Sequence, residues 1–187
     1  MPLKVDDNVR AVVKFAQSGD VRGEAVTDVK SGAVICNRYL GIPYALPPTG
    51  PRRWQRPQPL PSDFKYSTKT YNQFQAQCPQ PFYKVEHFAP PPTKPETSED
   101  CLYLNVWQPA GEAPPAGWPV WFQIHGGWLQ IGNANQDPLK DPSHAIAPTE
   151  QGGAGLQCVI VFATYRLNVF GFFSRKALEE ESGQANL

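Results

Sequence analysis

The sequence predicts an α/β fold in which antiparallel N-terminal strands lead into a mixed central sheet. Three observations point there. Short β-branched pieces lie close together near the start, at Val9–Phe15, within residues 21 to 30, and from Ala33–Cys36 into Arg38–Tyr44. Such spacing suits hairpins and antiparallel pairing. Two later runs, Pro119–Ile124 and Gln157–Tyr165, are almost wholly apolar, as in strands buried on both faces. Helix-compatible stretches are few and short, near 141–147 and 174–181, the second with Ser174 as a candidate cap.

A chain of 187 residues with 41% hydrophobic residues is enough for one domain with a real core. Its 21 prolines and 15 glycines favour loops and ordered turns over long helices. Lys plus Arg and Asp plus Glu both number 17, so no basic surplus points to a nucleic-acid partner. No segment approaches the ~20 apolar residues of a membrane span. The first residues, Met1 to Asp7, lack the apolar core of a signal peptide, which favours a cytoplasmic location. The three histidines and four cysteines lack metal-ligand spacing, and no cofactor motif is present.

Taken in order, the early pieces are divided by turn signals at Gly19-Asp20 and Lys30-Ser31-Gly32. From Pro47 to Pro61, prolines at 47, 48, 51, 57, 59 and 61 exclude regular structure. The same stretch carries Arg52, Arg53, Trp54 and Arg56. It is either a solvated basic loop or an irregular arm anchored by an arginine fork and a tryptophan. Cys78 and Cys101 bracket a loop that includes Pro90-Pro91-Pro92. They are either unrelated thiols or a bridge worth roughly 3 to 4 kcal/mol by loop-closure arithmetic. Leu102, Leu104 and Val106 alternate as a strand over 102–108, which Pro109 ends.

The run Pro119-Val120-Trp121-Phe122-Gln123-Ile124 ends in His125-Gly126-Gly127-Trp128. This is either a plain Gly-Gly turn or a loop whose N–H groups converge on one point, suited to an oxyanion. Cys36 and Cys158 read as inert core thiols.

Several segments together resemble the type-B carboxylesterases, the family that includes the cholinesterases. Glu99-Asp100-Cys101-Leu102-Tyr103-Leu104-Asn105 matches a long family signature. Tyr39 to Ala45, Pro47-Pro48-Thr49-Gly50 with Arg53-Trp54, Ile124 to Gly127, and Thr164 to Phe172 resemble further family blocks in the same order. The likeness runs from about residue 20 to the last residue.

The resemblance implies a carboxylic ester hydrolase of α/β-hydrolase fold, with a serine nucleophile and a small-molecule ester substrate. It places Cys78 and Cys101 as a disulfide, which would suit secretion instead of the cytoplasm. It places Arg53 and Glu99 as a structural ion pair. Gly127 and Trp128 take the positions of two oxyanion-hole N–H donors, where the family usually has glycine in place of Trp128. His125 is then a packing residue.

No Gly-x-Ser-x-Gly occurs, so no catalytic triad residue is assigned in this chain. Residues 1–187 are expected to be the N-terminal part of a carboxylesterase domain, cut before its nucleophile elbow, with the missing C-terminal part as partner. The alternatives are a non-catalytic cholinesterase-like binding module and a nonfunctional truncated fragment. The resemblance pairs Arg166 with an aspartate just after a Gly-Leu, so here Arg166 is expected to be exposed or to borrow another acid.

Overall fold

The computed structural model describes residues 1–81, 96–134, 141–149 and 152–182. The Pro90–Pro92 loop and the Gly183–Leu187 segment lie outside the described residues. Six strands form one sheet: β1 (Leu3–Phe15), β2 (Gly19–Asp28), β3 (Val34–Pro43), β4 (Tyr103–Pro109), β5 (Val120–Ile124) and β6 (Val159–Ala163). Their order across the sheet is β1-β2-β3-β4-β6-β5. Every pair is antiparallel except β5 with β6, which is parallel and in register from Val120 against Val159 to Ile124 against Ala163. The sheet is therefore mixed. Among the described residues there are three short α-helices: α1 (Ser143–Ile146) between β5 and β6, and α2 (Asn168–Phe172) and α3 (Lys176–Ser182) after β6.

The early strands are longer than local alternation suggests. β3 is one strand of 10 residues where the sequence shows two pieces. The two pieces run on through Asn37, and the irregularity falls instead at a bulge between Leu40 and Ile42, where the Gly41 N–H donates to the buried Asn105 Oδ1 at 2.9 Å. Across β2 and β3, Glu24 accepts from Arg38 Nε at 3.3 Å and Nη2 at 3.1 Å, and from Asn72 Nδ2 at 3.1 Å. A carboxylate only 4% exposed is tolerated because all three bonds converge on it.

The pleat sends successive side chains to opposite faces, so neighbours on β3 serve different clusters. Cys36 and Leu40 join Val26, Trp107, Ile146 and Ile160 in one. Tyr39 joins Ala11, Val21 and Tyr71 in the other. A third cluster, Ala45, Cys78, Cys101, Leu102 and Leu167, sits where the Pro-rich arm meets the ends of β4 and β6.

One expectation is overturned. β5 has the composition of a strand buried on both faces, yet Val120, Trp121, Phe122 and Ile124 are 64%, 52%, 53% and 65% exposed. The cause is position. β5 stands at the sheet edge, hydrogen-bonded to β6 alone among the described strands, with little packed over its faces.

Candidate functional site: the loop after β5

The chain leaves β5 through His125-Gly126 and turns back tightly. Gly127 has φ 129°, and Trp128 and Leu129 follow at φ 55° and 62°. Two successive L-residues in the left-handed region are costly, on the order of 1–2 kcal/mol each. Surrounding bonds must therefore dictate the conformation. Within the turn, the Gly127 carbonyl accepts from the N–H groups of Gln130 and Ile131, both at 3.0 Å.

Outside it, polar side chains hold the backbone. Tyr165 OH donates to the His125 carbonyl at 2.6 Å, and its ring stacks on His125 with centroids 4.4 Å apart. The N–H of Asn168 donates to the Leu129 carbonyl at 2.7 Å, and its Nδ2 to the carbonyls of Pro79 at 2.8 Å and Gln130 at 3.4 Å. Asn168 itself sits at φ 46°, a conformation asparagine tolerates better than most residues. Further along, Gln80 bonds Gly132, Asn133 Nδ2 donates to Gln77 Oε1 at 2.7 Å, and Asn105 Nδ2 donates to the Ala134 carbonyl at 3.0 Å.

The N–H groups of Gly127 and Trp128 donate to no other described residue. The Trp128 ring is 81% exposed. His125 Nδ1 donates to the Gly126 carbonyl at 3.0 Å, which with the Tyr165 stack gives the imidazole a packing role. A cavity of about 520 Å3 lies beside Gln123, His125, Gly126, Gly132 and Phe162.

The other predicted residues sit near this loop. Arg53 Nε and Nη2 reach the two carboxylate oxygens of Glu99 in a two-bond fork, and that carboxylate raises the guanidinium's affinity for its proton. Next to it, Trp54 Nε1 donates to the Val169 carbonyl at 3.0 Å and its ring lies 5.9 Å from Phe173. The Pro-rich arm is thus anchored and not a free basic loop.

Cys78 and Cys101 are brought together in the third cluster, at 2% and 0% exposure. Both carry free thiols here, close enough to share a hydrogen bond, so the pairing the resemblance implies turns on redox state. A hydrogen bond joins them; it holds Cys78 below the usual thiol range and, with burial, pushes Cys101 far up. Leu167 N–H donates to Cys78 Sγ at 3.1 Å, so the thiol is tied to the segment just before α2.

Arg166 departs from expectation. It is not exposed, and among the described residues it pairs with no acid: it is 8% exposed beside Cys101, Tyr44 and Cys78, and its Nη1 has no partner among them. Burial pulls its pKa down. Among the described residues no group of three or more His, Cys, Asp or Glu could hold a metal ion. No helix among them is long and apolar enough to cross a membrane.

The profile of the carboxylesterase family matches residues 9–186. The chain belongs to the carboxylesterase family. An uncharacterized esterase/lipase of Schizosaccharomyces pombe is 43% identical over 90% of the chain, and a carboxylic ester hydrolase of Gibberella moniliformis is 40% identical over 88%. Among solved structures, a PNB esterase superposes with a TM-score of 0.65 at 30% identity over 96% of the chain. A Geobacillus stearothermophilus carboxylesterase superposes at 0.64, with 32% identity over 95%. The chain spans about 30% of the length of these relatives: 30% and 28% of the first two, 32% and 30% of the structures.

The braces Gln80, Tyr165 and Asn168 were not assigned roles from sequence.

Proposed function

We propose that the chain is the N-terminal portion of a serine carboxylic ester hydrolase, with Gly127 and Trp128 as two donors of its oxyanion hole. The supporting observation is the loop after β5: bonds to the Gly127 and Leu129 carbonyls hold its turn, and no described residue accepts from the Gly127 or Trp128 N–H. When a serine attacks an ester carbonyl, the carbonyl oxygen gains negative charge as the tetrahedral intermediate forms. Preset N–H groups bond that charge better than the neutral carbonyl, and each is worth about 2.7–4 kcal/mol in the transition state. A backbone held before the substrate arrives spends little energy on reorganisation at the moment of reaction.

In this reading the serine, its histidine base and the orienting acid come from sequence beyond this portion, which fits its coverage of about 30% of the relatives. The exposed apolar β5 would be covered by the rest of the same hydrolase. Arg53 and Glu99 act as the ion pair that fixes the Pro-rich arm. The Cys78–Cys101 pair stays reduced in a cytoplasmic protein and closes as a disulfide in a secreted one.

The isolated 187-residue chain is expected neither to react with a fluorophosphonate probe nor to hydrolyse an aryl ester, whereas the complete esterase does both. Stoichiometric labelling of one serine in the isolated chain, with turnover, would overturn this assignment.

A further inference from the structure

The geometry points to Gln80 as a positioning residue for the oxyanion loop, acting through the Ile131–Gly132 peptide. It rests on the ester-hydrolase reading for its catalytic consequence, but its structural basis stands alone.

Gln80 grips one residue at both backbone groups. The Gly132 N–H donates to Gln80 Oε1 at 2.6 Å, and Gln80 Nε2 donates to the Gly132 carbonyl at 2.8 Å. Its Nε2 also reaches the Cys78 carbonyl at 3.1 Å, which fixes the amide's own orientation. A peptide unit is planar, so fixing the Gly132 N–H also fixes the direction of the Ile131 carbonyl.

That carbonyl is the wall behind Gly127. A Cβ added to Gly127 would lie 1.9 Å from Ile131 O, so the two backbones are in direct contact. The Ile131 N–H meanwhile donates to the Gly127 carbonyl at 3.0 Å. Gly127 is therefore bracketed by both backbone groups of Ile131. On its other side, Gly132 packs against the residues before Gly127: a Cβ on Gly132 would lie 2.4 Å from His125 Nδ1 and 2.5 Å from Gly126 O. Gln80 thus clamps the peptide wedged against His125, Gly126 and Gly127 together. Without it the Ile131–Gly132 plane is free to rotate, and the N–H vectors of Gly127 and Trp128 rotate with their support.

Two NMR measurements on the 187-residue chain test this without activity. Gln80→Ala should speed amide exchange at Gly132, Gln130 and Ile131 by ~10-fold or more and shift the Gly127 and Trp128 amide signals. The amides of β2 and β3 should keep their rates, which shows that the fold survives. A change confined to Gly132, or no change, overturns the role. Gln80→Glu supplies the conservative arm. Its protonated carboxyl can both donate to and accept from Gly132; once ionised it repels the Gly132 carbonyl. The loop signals should resemble the parent's at low pH and the Gln80→Ala pattern above the carboxyl pKa, and pH-independent signals would also overturn the role.

In the complete esterase, Gln80→Ala should lower kcat by ~10-fold or more with KM nearly unchanged, as for loss of an interaction made only in the transition state. Unchanged kcat overturns the positioning role. An inactive parent esterase would sink the ester-hydrolase reading instead, and the two NMR outcomes would still decide whether Gln80 sets the loop.

Discussion

Tyr165 holds His125 twice, with its ring stacked on the imidazole at 4.4 Å and its hydroxyl bonded to the same residue's carbonyl at 2.6 Å. The hydrogen bond fixes the point where β5 passes into the loop at Gly126–Gly127. Tyr165→Phe keeps the stack and removes only that bond. The expected cost is about 0.5–1.5 kcal/mol in denaturant unfolding. His125→Ala is the complementary variant: it keeps that bond, whose acceptor is a backbone carbonyl, and removes the ring stack and the Nδ1 bond to the Gly126 carbonyl.

Trp128 and Leu129 occupy left-handed backbone at φ 55° and 62°. The Trp128 ring is 81% exposed, so its loss removes little buried area. Trp128→Gly should therefore be more stable than Trp128→Ala by about 1 kcal/mol, because alanine keeps the unfavourable φ and glycine does not. Denaturant titration of the two variants measures the difference. Equal stability would mean that the turn relaxes out of the left-handed region once the ring is gone.

The Arg53–Glu99 fork is partly open to water, with the side chains 41% and 21% exposed. Its strength lies in two parallel bonds, a geometry lysine does not reproduce. Arg53→Lys should weaken attachment of the Pro-rich arm nearly as much as Arg53→Ala. The readout is limited proteolysis between Pro47 and Pro61, with faster cleavage in both variants; high salt should speed cleavage of the parent but not of Arg53→Ala, which has no ion pair left to screen. Arg53→Ala combined with Glu99→Ala should be cleaved no faster than Arg53→Ala alone.

Alkali should destabilise the fold through groups held neutral by burial. Burial pushes the Cys36 thiol from 9.0 up to about 11, and the Tyr39 phenol from 10.0 up to about 12. In the folded state these protons are retained longer than in the unfolded chain. Stability is thus fully present below about pH 9 and falls as pH rises towards 12, because the unfolded state binds fewer protons there. Cys36→Ala should flatten the early part of that decline, after allowance for its own packing loss. A slope identical to the parent's between pH 9 and 11 would remove Cys36 as a contributor.

Strands were legible where sequence and burial agree locally. The alternation of Leu102, Leu104 and Val106 and the apolar run around Val159 to Ala163 match β4 and β6 within a residue or two. β5 was legible as a strand but not as an exposed one, because composition records what a strand is suited to touch and not what covers it here. α2 was missed: five residues beginning at Asn168 carry no period of their own, and the turn is fixed by bonds to Leu129 and Pro79 far back in the chain. Gly127 and Trp128 could be singled out from a local motif. Gln80 could not, since its partner Gly132 is 52 positions away and only the fold brings them together. The burial of Arg166 is of the same kind: nothing beside it in sequence announces that Tyr44 and both cysteines will surround it.

The order β4-β6-β5 has a consequence for synthesis. β5 is made before β6, yet β6 is its only partner among the described strands and also separates it from β4. Some 35 residues divide Ile124 from Val159, which at ordinary elongation rates is roughly 2–7 s. During that interval Val120, Trp121, Phe122 and Ile124 have no strand to join, and the loop behind them lacks Tyr165 and Asn168. A ribosome-bound chain arrested between these strands is thus a natural target for a chaperone that recognises extended apolar segments. The loop after β5 takes its shape only after the residues that brace it have emerged, which puts it among the last parts of the sheet to settle.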